Sequence, residues 1–363
     1  MAIAGNSSKR WWRLRRRAAA DCDSVMSGPM LRLNAGNPAV LPPALLVSPP
    51  GAEPDLPALP RVESRPSSTM VLEKSGGEAG EMLRELDAAR DVQRSWVQRT
   101  FPPLPGFELS AYHRSPGHLS GDVCEVFPMG NGKALLAVAD VMGKGAPAAL
   151  VAASFRALLR TFAKSIRSPA GLLRELNSQL WDDLEAAEMF VTLQLVLADT
   201  KRATLTFANA GHCPALLADS VGPGGADNEA PVRMRSVAPE GFPLGIVPKP
   251  EFEESLIPLR ASSCLMLYTD GLSETAGGDG TLFGHMKLAN CLKQNFGHRA
   301  SELTADVLAE LERFQSPAPL RDDLTLLVLA RVATERSEVE FPGVEATGGR
   351  YRALAHNGKM TCK

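Results

Sequence analysis

The stretch LLAVADVMGKGAPAAL, residues 135–150, decides how the rest of the chain is read. An apolar run meets Asp140, turns through Gly143 and Gly145, and enters an alanine-rich segment. A strand, a glycine-rich turn and a helix can cradle a phosphate on backbone amides. A strand that ends in a carboxylate can instead hold a hard metal ion. A Walker loop needs GxxxxGK[ST], but here Gly145 follows Gly143-Lys144 and position 138 is Val. The GxGxxG pattern is missing, and GNGKAL (130–135) precedes a strand, so it reads as a hairpin turn. The nucleotide reading falls.

The carboxylate reading gains from three other places. Asp122 in SGD stands just before a strand, LMLYTDGLSE ends an apolar strand in Asp270, and LRDDLTLLVL opens one with Asp322-Asp323. One aspartate at a strand edge is usually a turn former; four such sites are harder to dismiss. Carboxylates gathered at one end of a sheet repel one another unless something positive sits among them. Hard divalent cations answer that need, and the lack of clustered Cys or His argues against zinc.

Working outward, EAGEMLRELDAARDVQRSWVQRTF (78–101) reads as a helix, with Met82, Leu86, Ala89, Gln93 and Trp96 at alternating spacings of four and three. PPLPG (102–106) ends it. Strands are predicted over 107–112, 123–127, 133–141, 189–199, 202–210, 213–218, 254–259, 263–269 and 324–332. Helices are predicted near 146–164, 169–186, 285–296 and 301–314, and VGPGGADNEAP (221–231) as a surface loop. Strands come in consecutive pairs and so do helices, which predicts an α+β layered sandwich of antiparallel sheets with helices outside. The divisions expected are a disordered basic and proline-rich region (1–77), a linker or switch helix (78–104), a catalytic domain (105–333) and a flexible tail (334–363).

The totals exclude several classes. With a net charge of −2 nothing global draws the chain to nucleic acid or an anionic membrane. A basic arm, SKRWWRLRRR (8–17), is the exception, and it lacks the apolar region of a secretory signal. No stretch approaches the length of an uncharged membrane span. Six cysteines without a CxxC pair fit reduced thiols and a cytoplasmic protein.

LSGDVCEVF, LLAVADVMGKGAPAAL, FANAGHCPALL, LYTDGLSE and RDDLTLLVL, taken in order, resemble the successive motifs of the metal-dependent serine/threonine protein phosphatases. The match is to their bacterial branch, similar to the stage II sporulation E and sigma-factor-regulator phosphatases, and runs from about Glu81 to Val332. The resemblance implies two packed antiparallel sheets flanked by helices and two Mn²⁺ or Mg²⁺ ions. Asp140 would bridge both ions with the Val141 carbonyl completing one; Asp270 and Asp322 would bind the second; Asp122 would act mainly through coordinated water. Asp323 competes with Asp322, which is preferred because the ligand stands three residues before the Thr, here Thr325. Lys144 is a candidate for charge beside the phosphate, and His212 for the leaving-group acid or, more simply, for a histidine that fixes its turn. The chain departs from the branch at Ser120, where a second glycine is usual. A phosphorylated protein, an anti-sigma-factor antagonist in a partner-switching circuit, is the implied substrate; the seam spacing of 78–100 suits either a homodimer or a helix packed on its own domain. The alternative is a catalytically weak regulatory scaffold with the same fold; a nucleotide cyclase would need a triphosphate loop that the sequence lacks.

Overall fold

The computed structural model describes residues 77–96, 100–166, 168–220, 231–260, 263–315 and 319–331. The expectations for residues 1–76, for the loop at 221–230 and for the tail at 334–363 lie outside these.

One five-stranded sheet has the order β1-β10-β9-β6-β7 and the other β2-β3-β4-β5-β8, with every pairing antiparallel. The strands are β1 (Phe107–Arg114), β2 (Val123–Gly130), β3 (Lys133–Val141), β4 (Val191–Asp199), β5 (Thr204–Ala210), β6 (Ala215–Ser220), β7 (Val232–Val237), β8 (Ser255–Pro258), β9 (Cys264–Tyr268) and β10 (Leu324–Arg331). Helices α2 (Ala146–Phe162) and α3 (Pro169–Ala186) cover the β2–β8 sheet. The turn α4 (Asp270–Ser273) follows β9, and α5 (Gly284–Gln294) and α6 (Ala300–Gln315) cover the other sheet. Helix α1 (Glu78–Arg94) precedes them all.

The continuous apolar runs are explained by this layering, because each central strand is buried on both faces. Side chains alternate across a strand. In β3, Leu135, Ala137, Ala139 and Val141 meet the helices, while Ala134, Leu136 and Val138 fill the space between the sheets. In β10, Leu324, Leu326, Val328 and Ala330 meet α5 and α6, and Leu327 and Leu329 point inward. Each such Leu or Val side chain contributes about 1.5–3 kcal/mol of burial, and each Ala less.

Helix α2 lays Ala148, Ala152, Phe155 and Leu159 on its sheet at helical spacing, with a proline in its first turn. Ser168 caps α3, its Oγ accepting from the Gly171 amide at 3.1 Å. Two readings need correction. Helix α1 stops at Arg94, where the Ser95 hydroxyl bonds back to the Val92 carbonyl, rather than running to about residue 100. β7 (VRMRSV) was not anticipated; as an edge strand with arginines at alternate positions it carries no apolar run. Among the described residues, no helix is long and apolar enough to cross a membrane.

Candidate active site

Four strand edges at one end of the sandwich carry the five marked aspartates, Asp322 and Asp323 sharing one of them. Val123 pairs with Ala139 across β2 and β3, so Asp122 and Asp140 are neighbours. Leu326 pairs with Tyr268 across β10 and β9, which sets Asp322-Asp323 beside Thr269-Asp270. Two glycines permit the close approach. A Cβ on Gly121 would stand 2.9 Å from the Val141 carbonyl oxygen, and one on Gly271 would stand 1.9 Å from that of Asp323.

Asp140 is the least compensated of the group. Among the described residues its carboxylate makes no hydrogen bond or ion pair. Burial pushes its pKa well up, and Asp122, Asp270, Asp322 and Asp323 push it further. The Asp270 carboxyl is held up at about 6, first by burial and then by Glu274 and Asp322, with the Gly271 amide and Lys144 opposing. Asp122 is pushed up to about 8 by burial. Its Oδ2 accepts from Thr325 Oγ1 at 2.5 Å and from Thr269 Oγ1 at 2.8 Å.

Asp322 and Asp323 are adjacent and face different ways. Asp323 Oδ2 accepts from Ser120 Oγ at 2.6 Å and from the Gly121 amide at 2.9 Å, so it ties down the turn that carries Asp122. Asp322 faces outward, 2.9 Å from Lys144 Nζ, and the same ammonium donates to the Arg321 carbonyl at 2.8 Å. Lys144 therefore already lies among the carboxylates. Among the described residues, no three His, Cys, Asp or Glu side chains converge closely enough to hold a metal ion as they stand.

His212 is a strut between the sheets. Its Nε2 lies 3.1 Å from the Tyr268 carbonyl and its Nδ1 2.7 Å from Thr192 Oγ1. A carbonyl only accepts, so Nε2 carries the proton and Thr192 donates to Nδ1. Burial lowers the ring to about 4, leaving it neutral. Both ring nitrogens are thus committed to partners within the fold. The Asn209 amide completes the strut, donating to Gln194 Oε1 at 2.6 Å and accepting from the His212 amide at 2.8 Å.

Helix α1 reaches this end through a polar residue of its seam. Gln93 Nε2 donates to the Ser120 carbonyl at 2.6 Å, and the Ser120 amide donates to Gln93 Oε1 at 2.8 Å.

A model of the Stage II sporulation protein E (SpoIIE) family matches residues 130–332. The chain belongs to the SpoIIE family. It is 24% identical to Protein IcfG of Synechocystis, over 68% of this chain and 41% of that protein. To phosphoserine phosphatase RsbU of Bacillus subtilis it is 26% identical, over 69% and 71% respectively. To phosphoserine phosphatase RsbP of the same organism it is 27% identical, over 53% and 45%. The chain thus spans less than half the length of two of these three relatives.

The fold matches the SiaA-PP2C domain of Pseudomonas aeruginosa with a TM-score of 0.60 at 24% identity, covering 70% of this chain and 99% of that one. It matches the PP2C phosphatase domain and regulatory-domain fragment of SpoIIE from Bacillus subtilis with a TM-score of 0.51 at 22% identity, covering 64% of each. Within this SpoIIE-family chain, Ser120 is more than a tolerated replacement for glycine. Its hydroxyl donates to Asp323 and accepts from the Asp122 amide at 3.1 Å, fastening both to one turn.

Proposed function

We propose that this SpoIIE-family chain is a metal-dependent protein phosphatase that removes phosphate from phosphoserine or phosphothreonine on a protein. The observation that carries the reading is the Asp140 carboxylate, half-buried and without a partner among the described residues, amid four other aspartates. A buried anion in that company is stabilised by a cation. The donors, carboxylates and the Val141 carbonyl, are hard oxygens that suit Mn²⁺ or Mg²⁺. Asp140 would be shared by two ions, the Val141 carbonyl would complete one, and Asp270 and Asp322 would hold the second. Asp122, with Oδ2 committed to two threonines, has Oδ1 left to orient water. When bound, such ions supply the Lewis-acid charge that phosphoryl transfer to water requires.

The chain's own groups do the rest. Lys144 must leave Asp322 when the acidic end fills, and its four-carbon stem lets the ammonium turn toward a phosphoryl oxygen. The thiols of Cys124 and Cys213 are pushed up by burial and by the carboxylates, Cys124 to about 12, which argues against a cysteine nucleophile. The substrate is a phosphorylated anti-sigma-factor antagonist, in line with the family resemblance and with the phosphoserine phosphatase names of RsbU and RsbP. Residues 78–100 mediate a homodimer through the N-terminal part of the seam, where Met82 is exposed, Gln93 being committed to Ser120 of its own domain. Leu86→Asp should then weaken self-association and raise the Mn²⁺ concentration needed for half-maximal activity.

The deciding experiment is hydrolysis of a phosphoserine peptide with and without Mn²⁺, alongside calorimetric titration of the ion. Asp140→Asn should abolish most turnover and most Mn²⁺ binding. Near-wild-type turnover in that variant would overturn the assignment. The scaffold reading draws on one observation, Lys144 seated on Asp322; ion binding without turnover by the wild-type chain would favour it.

A further inference from the structure

Three strands of the β1-β10-β9 sheet send alternate residues into the space between the sheets, and each row ends the same way. β1 contributes Leu109, Ala111 and then His113; β10 contributes Leu329, Leu327 and then Thr325; β9 contributes Leu265, Leu267 and then, just past its end, Thr269. The apolar layer thus closes with three hydrogen-bonding side chains at the level where Asp122 enters from the other sheet. Thr325 and Thr269 are fully buried. Polar groups so placed are costly unless each finds a partner.

Their partners form one chain. His113 and Thr325 are direct cross-strand neighbours, with Nδ1 and Oγ1 2.9 Å apart. Thr325 Oγ1 lies 2.5 Å and Thr269 Oγ1 2.8 Å from Asp122 Oδ2, and the Thr325 amide donates to Thr269 Oγ1 at 3.1 Å. Thr269 Oγ1 accepts that amide, so its own proton goes to Asp122. A threonine hydroxyl has one proton, so Thr325 can serve Asp122 only if His113 donates to it from Nδ1. The ring is neutral, its pKa lowered chiefly by burial, with Asp323 opposing and Arg94 adding to the decrease. Its single proton therefore selects which way the Thr325 hydroxyl points.

We propose that His113 is a positioning residue for Asp122: as the Nδ1–H tautomer it directs the Thr325 hydroxyl onto Asp122 Oδ2 and leaves Oδ1 free to face the site. This rests on the phosphatase reading for Asp122's task, but the relay itself is a property of the protein without ions. Without the donor, Thr325 Oγ1 loses the bond that holds its rotamer: in the Nε2–H tautomer its proton turns to His113 Nδ1, and with no ring nitrogen at all the hydroxyl is free to swing about χ1, so in either case Asp122 is held less firmly in its carboxylate plane.

The test compares His113→Phe, which keeps a ring and removes the donor, with His113→Asn, whose amide nitrogen replaces Nδ1. Thr325→Val and the double variant His113→Phe with Thr325→Val complete a cycle. Calorimetric Mn²⁺ affinity should fall about tenfold in His113→Phe and in Thr325→Val, little further in the double variant, and less than twofold in His113→Asn. Additive losses, or no rescue by asparagine while thermal unfolding confirms a folded chain, would overturn the proposal. So would imidazole ¹⁵N spectra that place the His113 proton on Nε2. If the wild-type chain bound no Mn²⁺, the phosphatase reading would fail, and the relay would be judged separately on the Asp122 ¹³Cγ resonance. His113→Phe must shift that resonance and His113→Asn must not; the reverse pattern refutes the relay.

Discussion

Asp322 and Asp323 differ by one position, and opposite consequences are expected when each is altered. Asp323→Ala removes the acceptor of two hydrogen bonds, from Ser120 Oγ and the Gly121 amide, and frees the turn that presents Asp122. Hydrogen bonds to an ionised group are worth about 1.5–3 kcal/mol each. They share one oxygen on a partly exposed side chain, so about 2–3 kcal/mol is the total expected. For a folded unit of this size, 1 kcal/mol moves Tm by about 2–4 °C, giving a fall of roughly 4–12 °C. Asp322→Asn removes only an ion pair whose Lys144 and Asp322 side chains are 62% and 41% exposed. Such pairs are worth about 0–1 kcal/mol, and losing one charge from the acidic end offsets part of that, so Tm should move by less than about 3 °C. Calorimetric scans in EDTA measure both, and Mn²⁺ titrations measure function. Asp322→Asn should lose ion binding without losing stability, while Asp323→Ala should lose stability first. An Asp322→Asn protein that melts far below the wild type, or an Asp323→Ala protein that melts with it, would refute the division of labour.

Asp122, Asp140 and Asp270 all have raised pKa values, at about 8 for Asp122 and about 6 for Asp270. These carboxyls bind more protons in the folded than in the unfolded chain up to about pH 8, whereas His212 and His113, lowered by burial from 6.5, oppose them below that value, so the fall in stability is clearest above it. In EDTA, Tm should drop between about pH 6.5 and pH 8, and saturating Mn²⁺ or Asp140→Asn should flatten the slope; a rising Tm would contradict it. Gly271→Ala forces a Cβ to 1.9 Å from the Asp323 carbonyl oxygen. It should cost at least about 1–3 kcal/mol by overpacking and weaken ion binding, whereas Gly117→Ala, with nothing nearer than 3.7 Å, should unfold like the wild type. Glu125 is fully buried against Arg156 and Arg160, and Arg156 stacks 5.0 Å from the centre of the Trp96 ring. Glu125→Ala should destabilise by about 3 kcal/mol by stranding those charges, as read by urea unfolding; a change under about 1 kcal/mol would mean that solvent already serves both arginines.

Much of this architecture was legible because two-sided burial writes continuous apolar runs into the sequence. β3, β4 and β10 stand out as unbroken stretches ending or beginning at aspartates. β7 escaped because it is an edge strand with Arg233 and Arg235 where a central strand would carry apolar residues. The aspartates were legible as chemistry at strand ends, but their partners were not. Thr269 meets Asp122 across 147 positions and His113 meets Thr325 across 212, separations that no local pattern encodes. Thr325 was noticed only as a spacing marker for Asp322. Ser120 stands out in the sequence only as a departure from glycine; the place of its hydroxyl between Asp323 and the Asp122 amide is set by the fold.

The arginines of β7 have a bearing on how these molecules behave in a crowd. Asp219, wholly buried on β6, draws Arg233 and Arg235 from β7 and Arg260 from the loop after β8. Among the described residues three cations answer one anion there, so this part of the sheet's outer margin carries more positive than negative charge along an edge strand, the place where a sheet can pair with a passing chain. A second copy approaching margin to margin would bring the same arginines against its own. The ion cluster that anchors Asp219 thus repels accretion at the place where a sheet is most open to it, and neutralising Arg233 and Arg235 together would shorten the time a concentrated solution stays clear.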